Sequence, residues 1–197
     1  MKKSQFKTRH YLPRLSCSAG TLAASAAALL LLAGSASLRA DDPGDNREPD
    51  LGTSCATIEA PGETNKVIFH AYAIGTQNYK WNGSAWVFIA PAAVLYANAD
   101  YDGEVGTHFA GPTWESNSGS KVVGRRVAGC TPDPTAIPWL LLQAVSSSGR
   151  GVLHDVTYIQ RVNTVGGIAP SAPGSFVGQE ADVPYTAEYY FYRAESE

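Results

Sequence analysis

After residue 50 the 197-residue sequence has no internal repeat, no low-complexity tract and no sustained helical period. Without helices between its apolar runs it cannot supply the crossovers of a parallel sheet, which excludes an α/β fold. Signatures of common chemistry are missing too. No serine sits in a G-x-S-x-G elbow, and there is no H-E-x-x-H helix. The run "GRGVLH" begins like a dinucleotide fingerprint, but His154 stands where the last glycine belongs and no helix pattern follows. His70, His108 and His154 are the only histidines after residue 40, and none has a second ligand at zinc-like spacing. No metal or cofactor is expected from these patterns.

Acidic residues are absent from the first forty positions. Those positions hold Lys2, Lys3, Lys7, Arg9, Arg14 and Arg39, then an Ala/Leu run over residues 19–33 and the small-residue exit "GSASLRA". This is the pattern of a secretory signal peptide, cleaved near Ala40 or Ala36. The run is shorter than the roughly 20 residues of a membrane-spanning helix, so no stable span is expected after cleavage. Cys17 precedes the run and is not placed as a lipid acceptor. Residues 1–40 carry 6 of the 15 Lys and Arg and none of the 18 Asp and Glu, leaving a remainder with a net charge near −9. Such a domain repels nucleic acid and anionic lipid. The segment "DDPGDNREPD", residues 41–50, is too polar to fold alone and reads as a flexible acidic leader. A single β-domain is expected over residues 51–197, in a secreted or periplasmic protein.

What the domain does contain is a series of short β-branched and aromatic runs, punctuated by Gly, Pro, Asn and Ser every ten residues or so. In "KVIFHAYAIG", Val67, Phe69 and Ala71 alternate with Ile68, His70 and Tyr72. In "QNYKWNGSAWVF", Asn82 and Gly83 predict a type I′ turn between aromatic strands. "IPWLLLQAV" is continuously apolar and fits a strand buried on both faces better than a short helix. In "DVPYTAEYYFYRA", Val183, Tyr185, Ala187, Tyr189 and Phe191 share one face. Eight or nine such strands predict an all-β, single-domain antiparallel β-sandwich or barrel.

Candidate site residues cluster in "EVGTHFAGPTWES". His108, Trp114 and Glu115 lie within eight positions, around a Gly111-Pro112 step that must bend the chain. On a structural reading they are hydrogen-bonded and packed parts of a sheet. On a functional reading Trp114 is a ligand-stacking platform with His108 or Glu115 as its polar partner, and Tyr79 belongs to the same binding surface. "NADYDGE" matches the first half of a calcium loop at Asn98, Asp100, Asp102 and Gly103, but Phe109 stands where the loop needs its glutamate. A hairpin turn explains the same residues. His154 and Asp155 are neighbours, which in a strand would point to opposite faces. Cys55 and Cys130 are a candidate disulfide, as an oxidising compartment favours, though spacing leaves open whether they meet.

Five segments, "TQNYKW", "HFAGPTWES…GSKVVG", "IPWLLLQA", "VTYIQRVNTVGGIAP" and "VGQEADVPYTAEYYFYR", together resemble a secreted bacterial and fungal family catalogued as domain of unknown function 3455, over roughly residues 63–193. The resemblance implies an extracytoplasmic β-domain without an established activity. Some fungal relatives carry a malate dehydrogenase label, which nothing in this sequence supports. Relatives often have a cysteine after the "Q-x-Y" strand and another after "GG-x-AP". Here those places read Trp81 and "SAPGS", so the implied family disulfide is absent.

The expectation is therefore an exported, non-enzymatic protein that binds a saccharide or another envelope or extracellular ligand. The alternatives are a hydrolase drawing on His108, Glu115, Asp155 and Arg161, and a purely structural envelope protein.

Overall fold

The structure, a computed structural model, describes residues 48–62 and 64–195. The expected signal peptide and residues 41–47 of the acidic leader lie outside the described residues. A 3₁₀ segment, Thr53–Ile58, precedes eight strands. These are β1 (Asn65–Trp81), β2 (Trp86–Tyr96), β3 (Glu104–Phe109), β4 (Thr113–Ser116), β5 (Lys121–Cys130), β6 (Trp139–Ser148), β7 (Tyr158–Gly166) and β8 (Glu180–Ala194). Each pairs antiparallel with the next, and β8 returns to pair along β1 from Ala194 opposite Asn65 to Glu180 opposite Lys80. The sheet is a closed barrel, which leaves no open edge. Among the described residues no helix is long and apolar enough to cross a membrane.

Strand alternation sorts side chains into two apolar clusters, one inside the barrel and one outside. Ala71, Ala73, Leu95, Trp114, Leu142, Ile159, Tyr189 and Phe191 belong to the interior. Leu141, Val162, Tyr190 and Tyr192 face outward beneath the 3₁₀ segment and pack with its Cys55 and Ile58. This is why "WLLL" and "YYFY" are apolar at consecutive positions. Both faces of β6 and β8 are covered, one by the barrel interior and one by the N-terminal segment, so a run without alternation is still a strand. A disulfide joins Cys55 to Cys130 at the end of β5, across a separation of 75 residues. Gln160 Nε2 donates to the Ile58 carbonyl at 2.6 Å, and the Tyr192 hydroxyl in turn donates to Gln160 Oε1.

The local geometry departs from the sequence expectations in three places. The β1–β2 loop has four residues, 82–85, with positive φ at Gly83 alone, so it is not a type I′ turn. The Asn82 side chain holds it instead, its Oδ1 accepting from Ser84 N, Ser84 Oγ and Ala85 N at 2.8–2.9 Å. A bulge between Val67 and Phe69 sends Val67 to the outer cluster, while Phe69 packs against the interior, so the two do not share a face. His154 and Asp155 lie in the turn before β7, not in a strand, and pair Nδ1 to Oδ1 at 2.6 Å. The "NADYDGE" residues form the β2–β3 turn, with Asn98 Oδ1 accepting from Asp100 N and Asp102 N.

The positions of the implied family disulfide are in contact without one. A Cβ on Gly174, within "SAPGS", would lie 2.5 Å from Trp81 Cγ, so the indole rests directly on that backbone. Trp86 stands opposite Trp81, and its Nε1 donates to the Ala172 carbonyl at 2.9 Å. Two aromatic rings thus hold the β7–β8 loop, at the place where the resemblance implies a disulfide in relatives.

Candidate functional site

The β3–β4 hairpin is short because Ala110, Gly111 and Pro112 turn it, with φ +121° at Gly111. Three turn residues place His108 directly opposite Trp114, so both point into the barrel. Their rings stack at 4.3 Å between centroids and 9° between planes, and Tyr189 meets each edge-on. His108 and Trp114 are 3% and 1% exposed. Space for the indole comes from Gly124 on β5, where a Cβ would stand 3.1 Å from Trp114 Cζ3 and 3.2 Å from Leu142 Cβ.

This aromatic group lines a pocket of about 290 Å³ at the barrel end that carries the β3–β4 turn. Phe88, Ile89 and Pro91 of β2 and Leu140 and Leu142 of β6 supply apolar wall. Arg161 of β7 and Arg126 of β5 supply the charge. The opposite end is closed by Leu153 and Val156, both buried, from the β6–β7 connection.

The electrostatics follow from burial and from Arg161. His108 Nδ1 lies 2.9 Å from the Thr113 carbonyl, an acceptor only, so that nitrogen carries the proton and Nε2 keeps a lone pair. Burial lowers the His108 pKa to about 3; the Thr113 hydrogen bond opposes this and the Arg161 charge reinforces it. His108 is therefore a neutral imidazole at physiological pH. Burial raises the Tyr185 and Tyr189 hydroxyls, which lie 3.4 Å apart, and Arg161 works against that rise at both. Arg161 itself donates from Nε and Nη2 to the Pro138 carbonyl at 3.1 and 2.8 Å. Among the described residues no carboxylate lies within 4 Å of Arg161 or Arg126. Among the described residues two buried donors lack a partner, Trp114 Nε1 on the pocket wall and Gln77 Nε2.

Of the four residues expected to share a binding surface, two meet. His108 and Trp114 are in contact, but Trp114 is buried and is not an exposed platform. Glu115, one residue on, points to the outer face and pairs with Lys121 at 3.0 Å. Tyr79 is buried beside Phe88, donates to the Gly167 carbonyl at 2.7 Å and does not line the pocket. The groups named for a hydrolase do not converge either, since Asp155 lies in the exposed turn with His154 and Glu115 lies outside the barrel. Among the described residues no three His, Cys, Asp or Glu side chains gather to hold a metal ion.

Arg126 and the Leu140–Leu142 wall were missed by motif reading. Arg161 carried a usable signal: it falls two positions after Ile159, on the inward face of β7, where an apolar residue would be the ordinary choice.

The family model described as "Protein of unknown function (DUF3455)" matches residues 61–193, which span all eight strands apart from the last residue of β8. No curated protein and no solved structure matches the chain.

Proposed function

The chain belongs to the DUF3455 family, and we propose that its barrel is an exported, non-enzymatic receptor for one small molecule with a compact apolar body and a polar head. The observation that carries this reading is the pocket itself. An eight-stranded barrel has an interior just wide enough to be filled by side chains or to hold one small ligand. Here one end is filled, and the other opens between apolar walls onto His108, Trp114, Tyr189 and Arg161. A mostly apolar concavity with a few convergent polar groups is the ordinary form of a ligand site. The buried Trp114 N–H, without an acceptor among the described residues, is costly unless something satisfies it.

Export is supported by the basic–apolar–small pattern of the first forty residues and by the Cys55–Cys130 pair, a bond of oxidising compartments. The lining supports an apolar-bodied ligand over a saccharide. A sugar calls for open aromatic faces and many hydrogen-bonding groups, whereas the deepest indole here is stacked on His108. A hydrolytic reading has less support, because the pocket lining contains no carboxylate to orient His108.

A thermal-shift series on the full chain tests the proposal with neutral probes, benzyl alcohol and benzamide, against glucose and N-acetylglucosamine. A ligand at one hundred times its Kd stabilises by about 2.7 kcal/mol, a shift of several degrees. The neutral aromatic probes are expected to raise the midpoint, and Leu140→Trp, which fills the pocket, to abolish the rise. A rise with the sugars alone would return the site to a saccharide surface. No rise with any probe would remove the ligand-binding reading.

A further inference from the structure

Resting on that reading of the pocket, we infer that the head group is a single carboxylate, held by the Arg161 guanidinium as its counter-ion. Arg161 is half-buried on the inner face of the barrel and among the described residues faces no carboxylate. A cation so placed has lost part of its hydration without gaining an ion pair, which is unfavourable until an anion arrives. Its field reaches Tyr79, His108, Tyr185 and Tyr189, all of which it pushes toward lower pKa. None of these is an anion at neutral pH, so the positive charge stays uncompensated among the described residues.

The geometry prepares the guanidinium for the task. The Pro138 carbonyl takes its Nε–Nη2 edge, which sets the plane of the group and leaves Nη1 with neither a carbonyl nor a carboxylate acceptor. Tyr189 adds a neutral hydroxyl beside it, and Arg126 at the rim adds a second positive charge on the approach. The whole chain is acidic, with a formal net charge of −3, so anions are not drawn to it generally and selection must be local.

A monoanion fits better than a phosphate-type dianion. One inward guanidinium neutralises one charge, and the remaining wall offers Pro91, Leu140 and Leu142. A second charge in that surrounding would be desolvated without a partner. At about 290 Å³ the pocket is at the small end of ligand sites, which suits a benzoate-sized or short branched acid.

Isothermal titration of the full chain with matched pairs tests this: benzoate against benzamide, phenylacetate against phenylacetamide, with benzylphosphonate as the dianion. A charge-assisted contact in place of a neutral one is expected to favour each acid over its amide by at least about tenfold. In Arg161→Gln the acid-to-amide ratio is expected to fall to about one, while Arg161→Lys keeps part of it and Arg126→Gln keeps most. Arg161 also holds the Pro138 carbonyl, so its variants can lose stability. The ratio within one variant is insensitive to the folded fraction. If Arg161→Gln does not fold, the ratio in Arg161→Lys must fall below that of the wild type, because a point charge does not reproduce the guanidinium fork.

Amides binding as tightly as acids would overturn the carboxylate assignment and leave the pocket reading standing. Benzylphosphonate binding tightest would overturn the monoanion. Failure of every probe, neutral ones included, would remove the pocket reading and this inference together.

Discussion

His108 shows at the scale of one residue how a barrel interior decides chemistry. A histidine in solution titrates near 6.5, but here burial lowers it to about 3. Between those values the unfolded chain binds a proton at this residue that the folded chain refuses. Stability is therefore complete above about pH 6.5 and is lost as pH falls toward 3, at up to about 1.4 kcal/mol per pH unit. Urea unfolding midpoints from pH 7 to 4.5 should show that slope in the wild type, and His108→Gln should flatten it over the same range. A slope that persists unchanged in His108→Gln would assign the acid sensitivity to other groups. Glu188 is the natural alternative. Although burial raises its pKa, hydrogen bonds from His70, Asn163 and Tyr190 lower it further, so it loses stabilisation only within the carboxylate range.

The decisive elements are the 3₁₀ segment and the strands it covers. The segment stays in place through Ile58, Cys55 and the disulfide to Cys130. In the chain-entropy picture a cross-link over this many residues stabilises by roughly 4 kcal/mol. Cys55→Ser/Cys130→Ser is therefore expected to lower the unfolding free energy by about that amount, and reductant should do the same to the wild type but not to the variant. Loss of the disulfide should expose Leu141 and Tyr192 while leaving the interior pocket formed, which ligand titration in the variant would check. The β7–β8 loop is held differently, by Trp81 and Trp86, so reductant is expected to leave it in place.

For the whole molecule, the ladder between β1 and β8 joins the two ends of the described strands and closes the barrel. Such pairing is distant in sequence and slow to form, so refolding is expected on a millisecond-to-second scale. Once closed, the seam has no free edge, and its amides can exchange only by opening the barrel. Native-state hydrogen exchange should give Ala71, Ala73, Tyr189 and Phe191 protection equal to that of Leu142 in β6 and to global unfolding. Markedly faster exchange along β1 and β8 alone would identify this seam as the place where the barrel opens, and as the route by which the pocket is reached.

Much of the molecule was legible from local pattern. Alternation in "DVPYTAEYYFYRA" put Val183, Tyr185, Ala187, Tyr189 and Phe191 on one face, because the two-residue period of a strand needs no tertiary information, and the last four belong to the interior cluster. The all-β class followed from the missing helical period, and the strand reading of "IPWLLLQAV" from its length and apolarity. What covers its outer face was not legible, since only folding brings the 3₁₀ segment over Leu141. The site divided along the same line. The hairpin put His108 and Trp114 face to face, while Glu115, beside Trp114 in sequence, left for the outer surface because adjacent residues of a strand must diverge. Arg126 and Arg161 lie 35 residues apart and meet the same pocket because β6 pairs with β5 on one side and with β7 on the other. Local period thus determined the strands and most of their faces, while the bulge at Val67 and the Asn82 loop did not follow from it. Barrel closure, which sets the water-poor interior, decided that His108 is neutral and that Arg161 faces no carboxylate among the described residues.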